Sequence, residues 1–303
     1  MKYILRSRLL VNTHEETIDI SLFNTIKHSR KVLTSAFQIE EIFDNLISNY
    51  LEVETRCLEL TARRLVRQAV GYREGNEALS AINLVFVNYL STARAYVDKI
   101  GSAASRCFPE AERPATKERV KALLAEQCDA AFGYRFMEAL RNHVQHNGSA
   151  LHTLSQGSRR MKVDQSEMLN ESFLEPLCNK GILVERGGFK AAVLAECPDQ
   201  VNLLEAARVH VRALSHIHRI VRDLTSEVIT EAVAQIKAGQ QLLEGKVTGS
   251  LDSTEAASVQ QDGDGGETVP LLLNWEEVRS WLAQRNSGIS DGIRTYPSGR
   301  VAS

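Results

Sequence analysis

The six residues Arg141-Asn142-His143-Val144-Gln145-His146 carry the most suggestive chemistry of this chain. A guanidinium keeps its charge at any physiological pH and can clasp two oxygens of one phosphate. An imidazole exchanges protons near neutrality, which suits acid–base work. Arginine followed by histidine after four to six intervening residues is a weak pattern alone. The chain holds it three times, as Arg8 with His14, Arg141 with His146 and Arg212 with His218, where roughly one chance match per 300 residues is expected. Context separates them. The first pair lies in an irregular N-terminal stretch. The third lies within one long helix, where six positions put the two side chains on opposing sides. The second falls in the last turns of a helix, with polar Asn142 after its arginine.

The elements that must position this motif are read from period. Asn147-Gly148 tolerate the left-handed backbone of a helix C-cap and end the motif helix. Residues 116–146 read as one helix kinked at Gly133, or as two with Asp129 capping the second. Upstream, Ile39, Phe43, Leu46, Tyr50, Val53, Cys57 and Leu60 form one apolar stripe over residues 37–68, with Glu40, Glu41, Glu52, Glu54 and Arg56 off it. Residues 77–100 lie between Asn76 as N-cap and Gly101 as C-cap. They are apolar on more than one side, including Leu84 and Phe86, and so are expected to be the central helix. Downstream, residues 167–180 read as a short helix, Arg186-Gly187-Gly188 as a hairpin turn, and Pro198-Asp199 as the opening of a long helix. The seam of that helix runs from Leu203 through His210 and Val221 to Val228. Residues 246–268, poor in large apolar groups, read as a flexible linker. Asn274 and Glu277 resemble a capping box that opens a short helix through Trp275, Trp281 and Leu282. The expected division is an N-terminal extension, 1–36, a helical domain, 37–245, the linker, and a short C-terminal helix and tail, 269–303. The fold class is mainly α, a bundle of four to five long helices with a minor β or irregular insertion.

The 303 residues are 43% hydrophobic and 24% charged, with net charge −2, ordinary for a globular protein. Residues 1–245 carry 31 Lys/Arg against 30 Asp/Glu, so nucleic-acid binding needs a local basic patch. The five cysteines, Cys57, Cys107, Cys128, Cys178 and Cys197, form no CxxC pair. Reduced thiols in the cytoplasm fit that number. No apolar run approaches the ~20 residues that span a bilayer, so no membrane role is expected. The N-terminus does not have the form of a signal peptide. No P-loop, GxGxxG, GxSxG or HExxH occurs.

The string Phe136-Met137-Glu138-Ala139-Leu140-Arg141-Asn142-His143-Val144-Gln145-His146 resembles the motif helix of HEPN domains (higher eukaryotes and prokaryotes nucleotide-binding). There, Arg, a polar residue and a later His end one helix of a four-to-five-helix bundle. Residues 35–240 follow the family in outline, and these eleven residues carry its specificity. Gly148 stands where some HEPN toxins, those paired with nucleotidyltransferase antitoxins, carry a Tyr. The resemblance implies metal-independent RNA cleavage that leaves a 2′,3′-cyclic phosphate, with His146 as general base or acid and Arg141 as phosphate and transition-state stabiliser. Asn142, four residues before His146, would orient the imidazole. The resemblance further implies a homodimer with a composite site and a role in defence or stress. No cofactor and no metal is expected.

Other readings stand beside this one. Arg141 and His146 serve equally as plain helix-end caps. Many HEPN-like proteins are non-catalytic scaffolds, and the C-terminal helix would then dock on the body or on a protein partner. His143, His146 and His152 suggest a metal site, yet no carboxylate stands at a telling spacing and structural histidines are commoner. Arg159, Arg160 and Lys162 form a short basic cluster that reads either as a solvated face or as an RNA backbone track.

Overall fold

The computed structural model describes residues 2–8, 13–67, 71–146, 148–162, 168–243, 257–261, 266–289 and 297–301. It is mainly α with small antiparallel sheets, as the periodicity predicts. The elements are β1 (Tyr3–Arg8), β2 (Thr13–Ile18), α1 (Ile20–Arg67), α2 (Tyr72–Ser105), a 3-10 turn (Glu110–Glu112), α3 (Arg113–Ala130), α4 (Phe132–His146), β3 (Thr153–Lys162), β4 (Met168–Asn179), α5 (Lys180–Arg186), α6 (Ala191–Glu196), β5 (Gln200–Asn202), α7 (Leu203–Gln241), β6 (Ala257–Gln261), β7 (Thr268–Pro270), α8 (Asn274–Arg285) and β8 (Pro297–Val301). No described helix is long and apolar enough to cross a membrane.

The chain forms two compact units. The first comprises residues 1–42, 99–121 and 218–287. Its sheet runs β2-β1-β6-β7, with Leu5 opposite both Glu16 and Val259. The expected extension, 1–36, therefore holds two strands and the start of α1. That helix opens where Asp19 Oδ1 accepts from the Leu22 N–H at 2.7 Å, and Phe23, Ile26, Leu33 and Ala36 carry its buried stripe toward Ile39. Of the expected linker, residues 246–256 and 262–265 lie outside the described residues, while 257–261 form β6, whose Ala257 and Val259 are buried. The Leu271 and Leu272 carbonyls accept from Gln240 of α7 and Arg30 of α1 at 2.8 and 2.7 Å. The expected capping box is not formed. Leu273 is the N-cap of α8, without a side-chain cap bond, and Asn274 is already helical.

Glu40, read as lying off the apolar stripe, is 2% exposed. It accepts from Arg222 Nε and Nη2 at 2.8 and 2.6 Å, and its Oε2 lies 3.2 Å from His218 Nε2. Burial alone would raise the Glu40 carboxyl, but these bonds and charges outweigh it and hold the group at about 2.

The second unit comprises residues 43–98, 122–217 and 288–303. Phe43, Leu46, Phe86, Tyr89, Tyr96, Phe136 and Leu214 are among its buried side chains. Glu54, 3% exposed, accepts from Arg208 Nε and Nη2 at 2.8 and 2.9 Å and from the Tyr50 hydroxyl at 2.6 Å. Like Glu40, it lies off the apolar stripe yet is buried, in a polar network.

Several expected boundaries move. Asn76 and Gly101 fall inside α2, which spans Tyr72–Ser105, and Leu84 is exposed. Helices α3 and α4 separate at Ala131, not at Gly133 or Asp129, and Arg135 Nη1 donates to the Cys128 and Asp129 carbonyls that end α3. Gly133 lies inside α4, where an added Cβ would sit 3.0 Å from Val209 Cβ of α7. The expected short helix 167–180 is instead β4, paired with β3 from Thr153↔Leu177 to Lys162↔Met168. Arg186-Gly187-Gly188 is not a hairpin turn. Gly187, at φ 69°, donates to the Leu183 and Val184 carbonyls and so ends α5. Helix α7 starts at Leu203 rather than at Pro198, because Asn202 Oδ1 accepts from the Leu204 and Glu205 N–H groups.

A carboxyl held low adds stability above its unfolded pKa, and that stability disappears as pH falls through the folded value. Glu40 should therefore contribute on the order of 3 kcal/mol at neutral pH, lost between about pH 4.5 and 2. Glu40→Gln should lower the urea midpoint at pH 7, and the gap to wild type should narrow steadily below pH 4.5. A gap independent of pH would contradict this assignment.

Candidate functional site

Helix α4 presents the motif because its two sides differ in kind. Phe136, Met137, Ala139, Leu140 and His143 are buried, whereas Asn142, Gln145 and His146 are exposed and Arg141 is half-buried. Five positions place Arg141 and His146 roughly 140° apart around the axis, so sequence spacing alone does not bring them together. Arg141 Nη1 donates to Asn142 Oδ1 at 3.0 Å. Asn142 shares a helix face with His146, so this bond draws the guanidinium toward the imidazole's side. Asn142 Oδ1 thus holds the arginine. Among the described residues neither Arg141 nor His146 is bonded to a main-chain carbonyl, and Arg141 Nε is buried without a partner. Asn147 lies outside the described residues, and Gly148 follows at φ 147°.

Within the same unit, Glu138 pairs with Arg94 at 3.3 Å and approaches His210 Nε2 at 3.6 Å, while Tyr89 and His210 share a buried hydrogen bond of 2.9 Å. Burial would raise Glu138, but His210 and Arg94 hold it below the usual carboxylate range. Asp98 pairs with Arg94 at 2.7 Å. These carboxylates are committed to α2 and α7, away from the motif's exposed end.

The histidines weighed as metal ligands fall into different settings. His143 is 0% exposed, its ring edge-on to Phe189, and the Gly187 main chain acts on it as an acceptor without a well-formed bond to either ring nitrogen. His152 Nδ1 accepts the Asn179 N–H at 3.0 Å, and its Nε2 is buried without a partner. Burial, followed by the nearby charge of Arg186, lowers both imidazoles from their ordinary value. Arg186, at the end of α5, packs where a Cβ on Gly148 would collide with its Nη1. Sequence reading missed Arg186 as a site residue. Its signal was the Gly187-Gly188 pair, which stops α5 and aims its last side chain. Among the described residues no group of three His, Cys, Asp or Glu side chains converges as a metal ion requires.

The basic cluster divides. Arg159 pairs with Glu171 and with Glu175 (3.8 Å), and its guanidinium lies over the Phe173 ring. Its charge is neutralised within the hairpin. Arg160 is exposed and, by strand alternation, belongs to the other face. The Lys162 side chain lies outside the described residues. The Arg159 face borders a cleft of about 390 Å³ that also touches Glu54, Cys57, Leu174, Arg208 and Arg212.

No family model, no curated protein and no solved structure matches this chain.

A buried histidine without a well-formed hydrogen bond costs stability, and an apolar side chain of similar size removes that cost. His143→Leu should therefore melt within a few degrees of wild type or above it, whereas Leu140→Ala on the same buried face should lose about 3 kcal/mol. A thermal melt in which His143→Leu falls as far as Leu140→Ala would show that the imidazole is satisfied after all.

Proposed function

We propose that this chain is a HEPN-type, metal-independent endoribonuclease that works as a homodimer. The observation that supports this reading most is the Asn142 bond, which draws the Arg141 guanidinium toward the face of α4 that carries exposed His146. Among the described residues, both groups are free of the helix-end carbonyls that a mere cap would occupy.

In this reaction the RNA 2′-oxygen forms a bond to the adjacent phosphorus, and the bond from phosphorus to the 5′-oxygen breaks. The products are a 2′,3′-cyclic phosphate and a 5′-hydroxyl. One imidazole takes the 2′ proton, and a second donates a proton to the leaving oxygen. Arg141 steadies the charge that gathers on the phosphoryl oxygens. One α4 supplies a single His146, so a second copy of the chain supplies the other, and the two motifs face each other. By the same family likeness, we place the protein in the cytoplasm, in defence or stress-induced growth arrest.

A second reading, a non-catalytic scaffold that binds a partner protein through its C-terminal helix, is favoured by one observation. Trp275 and Trp281 of α8 remain 54% and 55% exposed, which is costly in large aromatic surface unless something covers it.

Purified protein incubated with RNA and EDTA should cleave it, and Arg141→Ala and His146→Ala should each lose about 100-fold or more in rate. Equal cleavage by all three proteins would point to a contaminant. RNA binding without cleavage would favour the scaffold.

A further inference from the structure

The β3–β4 hairpin borders, with α1 and α7, the cleft of about 390 Å³ in the second unit, and its cleft face is built around an aromatic ring. Gly157 lies opposite Phe173 and Arg159 opposite Glu171, so strand alternation puts these four and Glu175 on one side. A Cβ on Gly157 would stand 2.7 Å from Phe173 Cζ. The ring is thus laid across the neighbouring strand in room that only a glycine leaves. Glu171 and Glu175 flank it along β4, their side chains 8% and 31% exposed. An aromatic face between two carboxylates suits an organic cation. One such cation is already there. The Arg159 guanidinium lies 5.3 Å from the ring centroid, donates to Glu171 through Nε and stands 3.8 Å from Glu175.

This internal cation is held loosely. The Arg159 side chain is 55% exposed, so water competes for its ion pair, whereas the Glu171 carboxylate is almost wholly shielded. Beyond the guanidinium the cleft has the dimensions of a small-molecule site. Leu58, Leu204 and Val209 give it an apolar wall. Four carboxylates and three guanidiniums border it, a negative surplus that doubles when Arg159 swings out into solvent. Glu54 and Arg208 bond to one another at 2.8 and 2.9 Å, which leaves the Arg159 side as the place where one cation can exchange for another.

We propose that this cleft binds a small organic cation, a guanidinium on an apolar chain, and that Arg159 is its built-in stand-in. The ligand's guanidinium takes the place of Arg159 between Glu171, Glu175 and the Phe173 ring. Its chain lies against Leu58, Leu204 and Val209, and Arg159 turns to solvent. A guanidinium fits better than an ammonium, because its planar fork meets a carboxylate through two N–H groups and stacks on a ring. Among the described residues none of α4 lines the cleft, so the proposal stands apart from the ribonuclease reading.

Calorimetric titration of the whole chain with n-pentylguanidine, beside its uncharged counterpart n-pentylurea, tests this. The wild type should bind the guanidine and not the urea. Arg159→Ala clears the cage and should bind the guanidine about tenfold more tightly than the wild type. It should also melt below the wild type, because Glu171 loses its counter-charge, and millimolar guanidine should restore the melting temperature. Arg159→Ala combined with Glu171→Gln should lose both the binding and the rescue. Phe173→Leu should weaken binding by about fivefold. A wild type that ignores the guanidine or takes the urea equally well overturns the site. So does an Arg159→Ala protein that binds no more tightly and is not rescued, which would make Arg159 a structural partner of Glu171 alone. Should Arg159→Ala fail to fold, the wild-type titration and Phe173→Leu decide: unchanged binding in Phe173→Leu overturns the cage.

Discussion

In both units the same interaction ties α1 to α7: a carboxylate from the first helix is gripped by both a terminal and an inner nitrogen of a guanidinium from the second. Glu54 meets Arg208, and Glu40 meets Arg222. The two glutamates stand as far apart along α1 as the two arginines along α7, so each helix offers its charges on nearly one face. Burying such charges is expensive, and a well-packed apolar pair is often as stable. What the pairs supply is register. A slip of one turn would leave a carboxylate and a guanidinium facing hydrocarbon without a counter-charge. The apolar side chains of the two helices can interlock in several ways, and these pairs admit only one.

That constraint explains what could be read from the chain and what could not. The stripe of Ile39, Phe43, Leu46, Tyr50 and Val53 is visible as a helical period and is buried as expected. Glu40 and Glu54 read only as lying off that stripe, because a glutamate declares its partner only in three dimensions, here a residue some 150 or more positions away. The same reason hid β4. Its residues, Met168–Asn179, carry apolar groups at spacings that suit a short helix as well as a strand. They become a strand because β3 pairs with them along its length. Residues 180–196 show the opposite case. Short apolar runs flanking two glycines resemble a hairpin, yet the positive φ of Gly187 closes a helix instead.

At the candidate site, residue types were legible and alliances were not. Arg141 and His146 stand out by spacing, but nothing in the spacing shows that Asn142 binds the guanidinium rather than the imidazole. Arg159 looked available because strand alternation separates it from Arg160 only once the hairpin is known, and its acidic partners, Glu171 and Glu175, lie on the facing strand. Arg186 could be noticed only after α5 was seen to end beside Gly148.

The pairing of β1 with β6 carries a consequence for biogenesis. Val259, the partner of Leu5, leaves the ribosome 254 residues after it. At roughly 5–20 residues per second, the interval is on the order of ten seconds or more. Throughout it, the β1 edge of the β1–β2 ribbon, the side that β6 later covers, stands open with unsatisfied amides and carbonyls, Ile4 and Leu5 among its residues. The nascent chain is thus most exposed to wrong strand partners on polysomes, where identical ribbons emerge side by side, and holdase chaperones that shield such edges would matter most during that interval.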